Sequence, residues 1–193
     1  MTVEAEAVMA ILREAYLARE QELAEKWQRS LPFQDAMFDR WERARRLGFG
    51  EGASIYNSAC IFGRLAVGQG TWIGPYVILD ASASELSIGA WCSISTGVHI
   101  YTHDSVTWAL SGGKRKARIA PVRIGDCTYI GSQSVIPAGV TVGRQVVIGA
   151  NSFVNRDVPD RTIVAGSPAR VIGHVEGEGE HVRVVFDRGE DGR

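Results

Sequence analysis

Few of the residues that staple, ligate or anchor proteins are present in this chain. Three cysteines, Cys60, Cys92 and Cys127, form an odd set without metal-ligand spacing, which excludes a disulfide framework and leaves free thiols. No run of 18 apolar residues occurs, so a membrane-spanning helix is not expected. Met1 to Ala10 carries Glu4 and Glu6 instead of a basic segment before an apolar stretch, which points away from a secretory leader and to a cytoplasmic location. Neither sign of charge dominates. With a net charge of -1 and no block of five Lys/Arg, neither a nucleic acid nor a membrane surface is an expected partner.

What the chain does have, across 193 residues that are 45% apolar, is enough for one domain with a real core. Its 22 glycines are spaced at intervals, which is the mark of a repeat. The period is six. Ile55, Ile61, Val67, Ile73 and Leu79 are followed, after a three-residue slip, by Ile88, Ile94 and Ile100; the register resumes with Ile124, Ile130, Ile136, Val142, Ile148 and Val154. The residue after the aliphatic position is glycine at Gly68, Gly74, Gly89, Gly125, Gly131, Gly143 and Gly149, as expected where backbone turns tightly or lies against a neighbour. Four residues after it comes a small or β-branched side chain, such as Ala59, Thr71, Val77, Cys92, Thr128, Ser134 or Ser152.

A strand repeats at two residues and a helix at 3.6, so a period of six fits a short strand plus a corner. Three such units make a triangular coil of about 18 residues, with Ile130 stacked on Ile148. The sequence therefore predicts an all-β solenoid. A β-sandwich is the competing fold, but its turns are irregularly spaced. Glu4 to Ser30 reads as an amphipathic helix carrying Ile11, Leu12, Tyr16 and Leu23, and Phe33 to Leu47 as a second helix ended by Gly48 and Gly50. The expected layout is a helical cap over 1–50, the solenoid over 51–173 and a tail over 174–193. In that tail the VRVVF run, Val182 to Phe186, is a short strand or a mobile end.

The period fails between Ile100 and Ile124. The intervening Tyr101 to Arg123 is polar, cationic and glycine-bearing, which makes it an extruded loop and the place to look for chemistry. Of four histidines, His174 and His181 lie in the tail and His99 at the last position of its hexad, while His103 opens the loop. Imidazole, with an ordinary pKa of about 6.5, suits the abstraction of an alcohol proton near neutral pH. His103 is therefore the candidate general base, against the simpler reading of a surface histidine.

From Ile55 to Gly173 the chain resembles the hexapeptide-repeat acyltransferases, in particular the maltose, galactoside and nodulation-type O-acetyltransferase branch. The resemblance is carried by THD at Thr102 to Asp104, PVRIGDCTYIGSQSVIPAGVTVG from Pro121, IGANSFVNRDVP from Ile148 and VAGSPARVI from Val164. It implies a left-handed parallel β-helix that transfers acetyl from acetyl-CoA to a hydroxyl of a sugar or sugar-like small molecule, with no metal. By position, His103 matches the catalytic base and the Ser132 amide the oxyanion donor. Tyr129 replaces the usual Trp near the coenzyme; Gly131, Gly149 and Ala150 match the pantetheine groove. Asn155, Arg156 and Arg170 match the positions facing coenzyme phosphates.

The acceptor side departs from that pattern, with Tyr76, Val77 and Ile78 ahead of Asp80 where sugar-specific members carry polar residues. Tyr76, Asp80 and Trp108 are the candidate acceptor contacts, and Asp80 alternatively orients His103 or is a corner residue. Lys114, Arg115 and Lys116 are loop cations that either meet an anionic acceptor or are solvated. The resemblance further implies a homotrimer with coenzyme A between neighbouring solenoids. Competing functions are an N-acyltransferase for a nucleotide-linked amino sugar, a nonenzymatic solenoid scaffold, and a zinc carbonic anhydrase. The last needs three imidazoles at the metal, which this chain does not offer at the right spacing.

Overall fold

In the computed structural model, residues 3–187 are described; residues 1–2 of the expected cap and 188–193 of the expected tail lie outside them. The repeat folds into three sheets that the chain visits in turn. The first face stacks Ser54–Ile55, Trp72–Ile73, Ser93–Ile94, Tyr129–Ile130 and Val147–Ile148. On the second lie Cys60–Gly63, Ile78–Ala81, His99–Tyr101 and Val135–Ile136, and on the third Ala66–Val67, Leu86–Ile88, Val122–Ile124 and Thr141–Val142. All neighbours in these stacks are parallel, and the aliphatic positions pair in register: Ile73 with Ile94, Leu79 with Ile100, Ile124 with Val142, Ile130 with Ile148.

The three columns meet in one core. Thirteen of the fourteen repeat positions are no more than 6% exposed, and Ile61, on the outermost coil, is only partly buried. Each fully buried Ile or Leu contributes about 1.5–3 kcal/mol relative to an exposed one. Hydroxyls at the second inward position do not break the core, because each finds a backbone acceptor. Thr71 donates to the Gly89 carbonyl at 2.7 Å, Thr128 to Gly143 at 2.9 Å and Ser134 to Gly149 at 3.0 Å.

Close approach, and not a left-handed turn, is what the repeat glycines supply. A Cβ on Gly131 would lie 2.5 Å from the Ala150 nitrogen, and one on Gly125 would lie 2.6 Å from the Gly143 carbonyl carbon. The left-handed corner falls two residues later, on Tyr76, Trp91, Cys127, Gln133, Gln145 and Asn151, with φ between 54° and 62°.

The helical cap differs in detail from expectation. Helix α1 spans Val3–Trp27 but buries only Leu23 in its interior; Ile11 and Leu12 are 65% and 42% exposed. Its contact with the rest of the cap runs through Tyr16, whose ring meets Phe33, and Arg19, which donates to the Ala36 carbonyl. The second expected helix is two, α2 (Phe33–Met37) and α3 (Arg40–Arg46). Phe38 is extended between them, and the Asp39 side chain caps α3 by accepting from the Glu42 amide at 2.7 Å. Both short helices dock on the first coil: Asp35 accepts from the Ser58 amide, and Arg43 donates to the Tyr56 and Ala59 carbonyls.

At the other end, Thr162–Ala165 continues the first face and then pairs antiparallel with Arg170–Glu176, which pairs with Arg183–Phe186. The chain thus crosses position 173 inside a strand, and the VRVVF run supplies the final strand.

Candidate active site

The segment that breaks the period is structured. His103–Asp104 pairs antiparallel with Arg118–Ile119, and the five-residue helix α4 (Val106–Leu110) follows the first of these strands. Asp104 supports it by accepting from the Val106 amide at 3.1 Å. Tyr101 still belongs to the second face and Val122 is already back on the third, fully buried. The excursion from the coil is therefore shorter at both ends than the broken period suggests.

Its base is tied to the coil beneath. Thr102, fully buried, directs both its amide and its hydroxyl at the Asp80 carbonyl, at 3.0 and 2.8 Å, and its own carbonyl accepts from the Ala120 amide. These bonds fix the direction in which His103 leaves. The register places Tyr101 beside Asp80, and the imidazole Nδ1 of His103 lies 3.6 Å from Oδ2 of Asp80. That separation is an ion-pair distance, longer than a hydrogen bond.

Asp80 is 9% exposed, and its other oxygen accepts from the Ser82 amide at 2.9 Å and the Ser82 hydroxyl at 2.6 Å. The carboxylate is thus held by the three-residue slip that follows it. His103 Nδ1 is itself buried and has no hydrogen-bond partner, while its side chain is 37% exposed. The accessible part of the ring is therefore the remainder, including the Nε2 edge. An imidazole with one nitrogen aimed at a fixed carboxylate and the other edge open is arranged to exchange a proton at the open side. Thr102 entered the sequence reading only as part of the THD motif, and Ser82 not at all; the slip after Asp80 was the available signal for the latter.

His99 is engaged elsewhere, its Nδ1 lying 3.1 Å from the Tyr101 hydroxyl. Burial, and then the nearby Asp80 charge, push the Tyr101 phenol above its ordinary pKa, so it stays protonated at neutral pH.

The remaining candidates fall in separate places. Ser132 sits on the next coil, where the flanking Gly131 and Gln133 amides donate to Ile148 and Thr96; among the described residues no acceptor lies on the Ser132 amide. Tyr129 projects from the first face, 46% exposed, and the Gly149 and Ala150 corner follows one coil later. Asn155, Arg156 and Arg170 are brought together, lining one cleft of about 150 Å³ near the last coil. Tyr76 and Trp108 are each 53% exposed. Among the described residues, neither they nor Ser132 make a hydrogen bond or ring contact with His103, so one chain assembles the His103–Asp80 pair and the arginine cleft as separate pieces. No group of three or more His, Cys, Asp or Glu suited to a metal ion occurs among the described residues.

Residues 121–156 match the family described as bacterial transferase hexapeptide (six repeats). Galactoside O-acetyltransferase of Escherichia coli (strain K12) is 28% identical over 134 residues, covering 60% of this chain and 66% of that protein. The 2,3,4,5-tetrahydropyridine-2,6-dicarboxylate N-acetyltransferase of Staphylococcus aureus (strain bovine RF122 / ET3-1) is 38% identical over 78 residues, 40% of this chain and 32% of that protein. The chain thus spans about two thirds of one curated relative and one third of the other. Among solved structures, the hexapeptide-repeat containing acetyltransferase VCA0836 from Vibrio cholerae is 28% identical with a TM-score of 0.58, covering 90% of this chain and 93% of that one. AntD, an N-acyltransferase from Bacillus cereus, shares the fold at 20% identity and a TM-score of 0.58, over 71% of this chain and 90% of that one. The period of six, the three parallel stacks and these matches make the chain similar to the hexapeptide-repeat acyltransferases.

Proposed function

We propose that the protein is an acetyl-CoA-dependent O-acetyltransferase acting on a hydroxyl of a sugar or sugar-like acceptor, with His103 as general base. The observation that carries this reading is the His103–Asp80 pair: a buried, otherwise unpartnered Nδ1 facing a carboxylate, with the opposite edge of the ring accessible. The Nδ1 proton directed at Asp80 selects the tautomer whose Nε2 lone pair is free. Nε2 takes the acceptor's hydroxyl proton as that oxygen bonds to the thioester carbon. The oxyanion is stabilised by the Ser132 N–H, the C–S bond then breaks, and the thiol leaves with the proton from the imidazole. No acyl-enzyme is required.

The left-handed sense of the coil comes with this reading. So does a homotrimer, in which the pieces that one chain keeps apart meet across neighbouring coils. Exposed Tyr129 and the small Gly131, Gly149 and Ala150 leave room along the coils for a pantetheine arm, and Asn155, Arg156 and Arg170 are suited to its phosphates. Tyr76 and Trp108 supply exposed aromatic surface on the acceptor side. Asp80, one of the candidate acceptor contacts, is instead assigned to orienting His103. The protein is taken as cytoplasmic; no described helix is long and apolar enough to cross a membrane.

The test is thiol release from acetyl-CoA against sugars, nucleotide-linked amino sugars and amino acids. Acetylation of a hydroxyl, lowered about 10²–10⁴-fold by His103→Ala with acetyl-CoA binding retained, is the expected result. Turnover only with amines would move the reading to N-acylation, and an active His103→Ala variant would end it. Sedimentation showing only monomer would remove the trimer.

A further inference from the structure

On the second face Ile100 is fully buried, so His99 and Tyr101 on either side of it both project outward. Tyr101 pairs across the sheet with Asp80, the carboxylate that His103 faces. His99 belongs to the neighbouring outward row, in which Cys60, Ile78, His99, Val135 and Phe153 follow one another from coil to coil. That row is partly or fully exposed along its length and apolar apart from this one imidazole. Its place is fixed by strands on both sides, with the His99 amide donating to the Ser134 carbonyl at 2.9 Å.

The two outward side chains touch. Their rings meet edge to face with centroids 5.8 Å apart, and the Tyr101 hydroxyl lies 3.1 Å from Nδ1 of His99. Of these two groups a phenol O–H is the better donor and an imidazole lone pair the better acceptor. Burial, and then the Asp80 charge, keep the phenol in its protonated form. Tyr101 therefore donates to Nδ1, and in a neutral imidazole this puts the ring proton on Nε2. Among the described residues Nε2 has no hydrogen-bond partner, and it is not buried. Ile78 and Val135, the neighbours on either side, have no polar side-chain atom to accept from it. A fixed donor in an apolar row, with nothing in its own chain to donate to, is the kind of group that orients a small molecule. His103 as general base uses the opposite tautomer, so that one imidazole accepts at Nε2 and the other donates.

We infer that His99 donates from Nε2 to an oxygen of the acyl acceptor other than the one that reacts, and that Tyr101 is the positioning residue that sets this tautomer. This role for His99 rests on the acyl-transfer reading and narrows its substrate class. The acceptor carries at least two oxygens, one giving its proton to His103 and another accepting from His99, with C–H surface to lie against Ile78 and Val135.

The experiment uses the full chain with its histidines labelled with nitrogen-15. Two-bond proton–nitrogen spectra at pH 8 report the tautomer of each imidazole, and the His99 signal is the one lost in His99→Gln. The expected result is an Nε2-protonated His99 in the parent and a mixture of tautomers in Tyr101→Phe. Kinetics follow thiol release from acetyl-CoA with the sugars, nucleotide-linked amino sugars and amino acids already named. With the member of that panel that turns over best, His99→Ala should raise KM for the acceptor about tenfold, the loss of one hydrogen bond, and leave KM for acetyl-CoA unchanged. His99→Gln, whose amide restores a donor at the end of the side chain, should recover most of that loss, and Tyr101→Phe should show a smaller rise. An Nδ1-protonated His99 in the parent, an unchanged acceptor KM in His99→Ala, or equal losses in His99→Ala and His99→Gln with a lowered thermal midpoint would each overturn the role of His99 while acyl transfer to a hydroxyl stands. No thiol release with any member of the panel would instead end the acyl-transfer reading, and the role of His99 with it.

Discussion

His103 and Asp80 face each other across 3.6 Å, from Nδ1 to Oδ2, although one leaves the coil and the other is fixed within the coil below. The carboxylate is held on its far side by Ser82 and the imidazole by the Thr102 tether and the hairpin strand at Ile119. The carboxylate is fixed directly, and the imidazole through the backbone that carries it. A base oriented in this way loses efficiency when its orienting partner is removed, even if the base itself survives.

Asp80→Asn therefore should lower kcat by about 10²-fold while leaving KM for acetyl-CoA close to its original value. Asp80→Glu, which keeps the charge, should recover part of the loss. Steady-state kinetics with purified variants checks this; a wild-type kcat in Asp80→Asn would show that the carboxylate plays no positioning role.

Arg156 and Arg170 line one cleft with Asn155, and phosphate contacts from arginine are charge-assisted. Replacing either by Ala should raise KM for acetyl-CoA about tenfold or more with kcat little changed. The effect should shrink as salt increases. Equal KM values in variant and parent would place the coenzyme elsewhere.

Gly131→Ala brings a methyl to 2.5 Å from the Ala150 nitrogen and 2.8 Å from the Ile148 carbonyl oxygen. Backbone of the next coil has to move, so a loss of about 1–3 kcal/mol is expected, visible as a lowered midpoint in thermal or urea unfolding. At Gly112, where a Cβ meets nothing within 4 Å but φ is +59°, the same change should cost about 1 kcal/mol. Equal effects at the two sites would contradict the close-approach explanation.

Burial raises the Cys92 thiol above its ordinary pKa, whereas Cys60 and Cys127 are exposed. A raised pKa leaves less thiolate at any given pH, so alkylation slows. Iodoacetamide at pH 8 should label Cys60 and Cys127 first and Cys92 only in denaturant, as read by peptide mass spectrometry. Rapid labelling of Cys92 in the native protein would show that the corner over it opens.

The columns were legible because the coil has one inward rule: a side chain at Ile130 or Ile148 either fills the interior or leaves a hole, so the spacing is written into the residues. The break in α2–α3 was also visible in principle, since Asp39 and Glu42 stand at the spacing of a helix cap, but a run of helix-favouring residues obscured it. For α1 the pattern misled. Ile11 and Leu12 look like an inward stripe, yet the helix is joined to α2 mainly by Tyr16 and Arg19 and leaves those residues exposed.

Sequence alone determined the repeat, its aliphatic register and the identity of His103 as the residue worth attention, because each follows from local spacing and residue chemistry. Tertiary structure decided that Asp80 is the group facing Nδ1, that Asn155, Arg156 and Arg170 share a cleft, and that Asp35 meets the Ser58 amide where α2 docks on the first coil. Those relations depend on strand register, on a three-residue slip and on where a helix docks. They are distances between residues remote along the chain, which spacing by itself does not encode.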